Sequence, residues 1–184
     1  MTAVPELPGR SPVVSVLTAA DMPRVPGRLL TPAELREWVA EFATREDLWE
    51  RHVAHDTGGR HFVSLYRDTT VDVWLLCWNI VDDTGWHDHD VSSGAVAVTR
   101  GTIHESWLSL APTPSGRELS AGETVCFGPD YIHRFVGSVD GSVSIHAYSP
   151  PLWRLGQYSV DADGRLSRHS VSYAEELRPI DPVG

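Results

Sequence analysis

Two periodicities divide the chain. In "TPAELREWVAEFA" the apolar residues Leu35, Trp38, Val39 and Phe42 recur at the three-and-four spacing of one helical face. Thr31 stands where an N-cap belongs, Pro32 at the first helical position and Glu34 three residues after the cap, which together form a capping box. "REDLWERH" predicts a second short helix over 45–52. From residue 60 the pattern changes to short β-rich runs: "RHFVSLYRD", "VDVWLLCWNI", "GAVAVTRG", "TIHESWLSLA", "GETVCFG", "YIHRFVGSV" and "SVSIHAYS". Gly, Asp and Pro separate them at the intervals of an all-β sandwich or barrel. "VDVWLLCWNI" is apolar nearly throughout and predicts a central strand buried on both faces. The expected organisation is one domain over 1–184: an extended proline-rich arm (1–30), a helical preface (31–55) and an antiparallel β-barrel (60–172).

Composition narrows the partners. With 15 basic against 25 acidic residues the net charge is −10, which disfavours nucleic acid and anionic membranes, since both need a basic surface. No apolar run approaches a membrane span, and "MTAVPELPGRSPVVSVL" lacks the basic-then-apolar order of a secretion signal, so the expected location is the cytoplasm. Cys77 and Cys126 sit in apolar runs and read most simply as buried free thiols, with a single disulfide left open. The oligomeric state, monomer or homodimer, is also left open.

The candidate chemistry begins at "GWHDHD". On a strand His87 and His89 would face the same way, about 7 Å apart. An isolated H-x-H is weak evidence, and His52, His55, His61, His104 and His169 read as ordinary core or surface residues. A second cluster strengthens the case. In "YIHRFVGSVDGSVSIHAYSPP", Asp140-Gly141 is a favoured two-residue hairpin turn. That register pairs Val139 with Ser142, His133 with Tyr148 and Phe135 with His146. It gathers His133, Ser144, His146 and Tyr148 on one face and turns Val143, Ile145 and Ala147 to the other. Polar groups facing an apolar interior cost a few kcal/mol each unless something satisfies them. A metal at His87, His89 and His133, with a hydrogen-bond relay Ser144–His146–Tyr148, would do so.

These motifs carry a family resemblance. "LLCW" (75–78), "HDH" (87–89), Gly101, Gly122 before His133, and "SIHAYSPP" (144–151) resemble the cysteine dioxygenase-like thiol dioxygenases of the cupin superfamily, bacterial type. The resemblance covers about 60–155 and implies a cupin, jelly-roll type β-barrel. It implies a ferrous ion, Fe(2+), on His87, His89 and His133, the relay at Ser144, His146 and Tyr148, and Arg60 as the clamp for a substrate carboxylate. Three positions depart from the family pattern. Gly94 replaces the cysteine that animal members crosslink to the relay tyrosine, Gly58 replaces a tyrosine two residues before the arginine, and Gly128 and Asp130 replace a proline and a glycine.

The implied reaction joins a small-molecule thiol and O2 into a sulfinic acid, with a cysteine-like substrate first. Three neutral imidazoles leave the metal's charge uncompensated, which favours a thiolate ligand. Arg67 and Arg154 are alternative clamps. The missing tyrosine at position 58 leaves room for a larger thiol such as ergothioneine, for which Trp74, Trp86 and Trp153 with Asp82, Asp83 and Asp90 offer cation-binding chemistry. Two rivals remain: a cupin acting on a carbon substrate, disfavoured because "HDHDVSSGA" lacks a glutamate shortly after H-x-H, and a non-catalytic metal- or ligand-binding cupin.

Overall fold

In a computed structural model the described residues are 14–22, 24–55, 60–109, 115–163 and 165–172. Helix α1 spans Pro32–Ala43, α2 spans Glu46–Trp49, and a 3-10 turn follows at Glu50–His52. The Thr31 hydroxyl accepts from the Glu34 N–H while the Glu34 carboxylate accepts from the Thr31 N–H, so the predicted capping box is formed. The strands are β1 (His61–Arg67), β2 (Asp72–Trp78), β3 (Trp86–Asp88), β4 (Ser93–Arg100), β5 (Thr102–Trp107) and β6 (Ser115–Ser120). β7 (Thr124–Phe127), β8 (His133–Gly137), β9 (Ser142–Ser149), β10 (Arg154–Val160) and β11 (Leu166–Ser172) follow.

The strands form two antiparallel sheets, ordered β1-β2-β9-β4-β7 and β11-β10-β3-β8-β5-β6. The fold is the expected all-β, cupin-type double sheet with a short helical N-terminal segment. α1 lies on β4, β7 and β9. Leu35, Trp38, Val39 and Phe42 are buried there with Val73, Leu75, Ala95, Ala97, Val143, Ile145 and Ala147. Each large side chain so buried contributes roughly 1.5–3 kcal/mol. The opposite face of the same sheet, with Trp74, Leu76, Trp78, Val96 and Val98, packs against Ile103, Phe135 and Leu155 of the second sheet. β2 and β9 are therefore covered on both faces, and every residue in each is buried. The continuous apolar run in β2 has this cause.

One expectation is corrected. β8 and β9 do not form a hairpin: β8 pairs with β3 and β5, whereas β9 pairs with β2 and β4. The Asp140-Gly141 turn carries the chain from one sheet to the other. It is bonded to the end of β2, with the Ile80 N–H donating to Asp140 (2.8 Å) and the Gly141 N–H to the Trp78 carbonyl (3.1 Å). The division of faces along β9 stands, since Ser144, His146 and Tyr148 point between the sheets and Val143, Ile145 and Ala147 toward the helix.

Gly94 on β4 faces Phe127 of β7, and an added Cβ would lie 2.1 Å from the Phe127 ring. That ring is stacked between His89 and Tyr131, so it has little room to swing aside. Gly94→Ala is expected to destabilise the fold by about 1–3 kcal/mol through overpacking. A thermal melt should show a lower Tm, and adding Phe127→Leu should return part of the loss; an unchanged Tm would mean the ring yields freely.

Candidate metal centre

Strand pairing brings the histidines together. His87 of β3 lies directly opposite His133 of β8, and opposed residues share a face. His89 follows just past the end of β3, where the Ser92 N–H donates to its carbonyl (2.9 Å). The middle residue, Asp88, points the other way and anchors the segment. Its carboxylate accepts from the Tyr158 hydroxyl (2.6 Å) and from both Arg168 Nε (2.8 Å) and its terminal nitrogen (2.7 Å). Burial opposes ionisation of Asp88, but Arg168 and Tyr158 outweigh it and hold the carboxyl below its usual range. Asp90 then takes a positive φ of 57°, its N–H bonded back to Asp88, which turns the chain sharply after the motif.

The nitrogens of His87, His89 and His133 lie within 4.8 Å of one another, and all three residues are buried. Among the described residues no other group of His, Cys, Asp or Glu converges this way. His87 Nδ1 donates to the Gly85 carbonyl (3.0 Å), leaving Nε2 as its donor to a metal. His133 Nδ1 meets Glu105 (2.9 Å), whose other oxygen accepts from Arg117 (2.6 and 2.8 Å). His133 Nε2 and both ring nitrogens of His89 are buried with no hydrogen-bond partner. Orphaned buried nitrogens of this kind cost a few kcal/mol each, and a shared cation would satisfy His133 Nε2 together with one of the two nitrogens of His89. Burial and the neighbouring imidazoles push His89 and His133 well below the usual histidine range, so both are neutral and able to ligate. The residues present thus fit a metal, and an all-imidazole set suits iron, zinc, copper or nickel.

Beside the histidines runs a chain of four buried groups. Trp78 Nε1–H donates to Ser144 Oγ (2.8 Å), Ser144 Oγ meets His146 Nε2 (2.9 Å), and His146 Nδ1 meets the Tyr148 hydroxyl (3.4 Å). Indole can only donate, so Ser144 Oγ accepts from Trp78 and keeps its own proton to give, with His146 Nε2 as the acceptor at hand. In that arrangement His146 carries its proton on Nδ1, facing the Tyr148 hydroxyl. The Tyr148 ring lies 5.2 Å from that of His89, between centroids. Trp74, Leu76, Thr84, His87, Phe135, His146, Tyr148 and Leu152 line the cavity here.

The expected substrate residues divide. Arg60 is buried, its guanidinium 4.9 Å from the Trp78 ring centroid, and its charge reaches His146. Trp74 lines the cavity. Trp86 is half-buried on the strand position opposite Tyr158, alternate to His87, and does not line it. Arg154 is exposed at the surface beside Asp90 (3.7 Å), away from the cavity. Arg67 is bonded to Asp72 and to the Leu152 carbonyl. Trp153 is 67% exposed, Asp82 caps the Asn79 N–H and Asp83 pairs with Arg134, so the expected tryptophans and aspartates do not form one box.

Sequence reasoning passed over Trp78 as a relay member, and over Glu105, Arg117 and Phe127. For Glu105 a signal existed: in "TIHESW" it alternates with Ile103 and Trp107, which places a carboxylate on the inward face.

Comparison with known proteins adds the family. A sequence profile described as Cysteine dioxygenase type I matches residues 30–161. The chain belongs to this family. The cysteine dioxygenase type I match takes in α1, both sheets up to β10, all three histidines and the whole relay. Comparison with curated proteins finds no match. Among solved structures the chain is similar to KdgF from a Halomonas species, at 16% identity over 55% of this chain and 91% of that one, with a TM-score of 0.48. It is also similar to a conserved double-stranded β-helix protein from Klebsiella pneumoniae (12% identity, 65% and 91%, TM-score 0.48). A third is an RmlC-like cupin from Desulfovibrio desulfuricans (11%, 54% and 90%, TM-score 0.47).

Against the cysteine dioxygenase pattern, Gly94 lies opposite Tyr148 on β9, and the Phe127 ring fills the space that a side chain at 94 would take. Gly58 lies outside the described residues. Cys77 and Cys126 are free thiols.

Burial, with the charge of Arg60 and the neighbouring His87, pushes the His146 imidazolium down to about 3. The unfolded chain, with an ordinary histidine near 6.5, therefore binds the proton that the folded chain refuses. Stability should fall as pH drops from about 6.5 toward 3, by about 1.4 kcal/mol per pH unit for this proton. Denaturant melts of the metal-free protein should show this slope added to those of His89 and His133, and His146→Gln should lower the total by one proton's share; an equal slope in the variant would mean that His146 titrates normally.

Proposed function

We propose that the protein is an iron(II)-dependent thiol dioxygenase that adds both atoms of O2 to a small-molecule thiol, giving the sulfinic acid. The observation that carries this reading is the adjacency of two buried arrays, the three convergent histidines and the one-directional Trp78–Ser144–His146–Tyr148 relay. Family membership gives the dioxygenase class, and a cysteine-like thiol is the proposed substrate, in the cytoplasm.

His87, His89 and His133 would hold the iron, which when bound supplies Lewis acidity toward a thiolate and one-electron chemistry toward dioxygen. The residues around it have separable tasks. Tyr148 accepts from His146 Nδ1–H, so its own proton is directed away from the relay toward the reacting groups. Ser144 and Trp78 fix the His146 tautomer, and burial keeps that imidazole neutral. Arg60 is the proposed partner of a substrate carboxylate, since a planar guanidinium grips a carboxylate through two bonds. Trp74, Leu76, Phe135 and Leu152 exclude water, which strengthens each of these interactions. The overall step balances as RSH + O2 → RSO2H: the S–H and O–O bonds break, two S–O bonds form, the thiol proton ends on the sulfinic acid, sulfur is oxidised, and dioxygen is the oxidant.

Oxygen uptake by the iron-loaded protein should appear with at least one of cysteine, 3-mercaptopropionate, cysteamine and ergothioneine, the product gaining two oxygen atoms by mass. Tyr148→Phe should lower turnover about 10²-fold or more with iron retained, whereas His133→Ala should lose the iron. Silence toward every thiol with iron bound, or equal iron loss in the two variants, would contradict the reading.

A further inference from the structure

The three histidines are not equivalent. Beyond the ring nitrogen available to a metal, His87 donates to a backbone carbonyl, His89 has no partner, and His133 meets a carboxylate. Glu105 sits on β5 directly opposite Arg117 of β6, and one step diagonally from His133, which faces Trp107. The glutamate side chain is fully buried, and Arg117 is 42% exposed with its guanidinium 5.4 Å from the Trp107 ring centroid. Arg117 is thus held from two sides, and its fork closes on one oxygen of Glu105.

Hydrogen-bond logic fixes the states. If His133 gives Nε2 to a metal, its proton must be on Nδ1, so Glu105 Oε1 accepts. Oε2 faces two guanidinium N–H groups and can only accept as well. With both oxygens accepting, Glu105 is a carboxylate. We propose that Glu105, held by Arg117, is a positioning residue that locks His133 in its metal-binding tautomer and makes it the strongest electron donor of the three ligands. The inference rests on the metal-centre reading and extends it. A site whose ligands are all neutral is in effect supplied with one negative charge from behind one ligand, and Arg117 at the surface sets how much of that charge reaches it.

The test measures metal binding and redox potential rather than turnover. Anaerobic iron(II) and zinc(II) titrations, and the ferric/ferrous midpoint potential of the loaded protein, are compared for wild type, Glu105→Gln, Arg117→Ala and Arg117→Lys. Loss of the carboxylate in Glu105→Gln should weaken metal binding about 10–100-fold. It should also raise the midpoint potential, because the more charged ferric state loses more stabilisation. Arg117→Ala should shift both quantities from wild type, and Arg117→Lys, which keeps the cation, should restore most of the difference. Should Glu105→Gln fail to fold, the half-exposed Arg117 pair still decides. Folded variants with wild-type affinity and potential overturn the inference alone, as does weaker binding with an unmoved potential, which is the signature of a structural role. A wild type that binds neither metal overturns the metal-centre reading and this inference with it.

Discussion

Burial of imidazole nitrogen is the constraint on which the site depends. Four histidines lie between two sheets whose other side chains are largely apolar, and in that setting each ring nitrogen needs a partner or costs free energy. The fold meets the requirement in different ways. Backbone serves His87, a carboxylate serves His133, and serine and tyrosine serve His146. One nitrogen from each of His87, His89 and His133 converges on a single place, and that is where a metal is proposed. His89, His133 and His146 are thereby held neutral, and neutrality is what both ligation and the direction of the relay require.

The two arrays come from different sheets, which explains why the architecture suits them. The histidine trio stands on the sheet containing β3 and β8, the relay on β9 of the other sheet, and their separation is set by the packing of Trp78, Phe135 and Leu155 between them. On the far side, α1 seals the relay sheet and keeps water from its backbone. The opposite face of the H-x-H segment is tied to β10 and β11 by Asp88, Tyr158 and Arg168. Each array is therefore rigid on its own sheet. Shifts in inter-sheet packing would change the spacing between them more readily than the arrangement within either.

Much of this was legible in the residues. Local rules placed α1 because its capping box and apolar face agree, and the continuous apolar run of β2 announced a strand covered on both faces. The face carrying Ser144, His146 and Tyr148 followed from simple alternation. What failed was register beyond the chain's own neighbourhood. Asp140-Gly141 has hairpin chemistry, but strand pairing is decided by which edge is available, and β2 and β4 already flank β9. The short β3 was too brief, and β10 and β11 too polar, to stand out. Trp86 and Arg154 adjoin the motifs in sequence, yet alternation and exposure carry them elsewhere. Alternation turns Glu105 inward, but it reaches His133 only through pairing of β5 with β8, which the local sequence does not announce.

The most direct measurement is anomalous diffraction at the iron edge from crystals grown anaerobically with iron(II). The account predicts one strong peak per chain, bonded to Nε2 of His87 and His133 and to a ring nitrogen of His89. Full-occupancy iron elsewhere, or three histidines bridged by water with no metal between them, would contradict it.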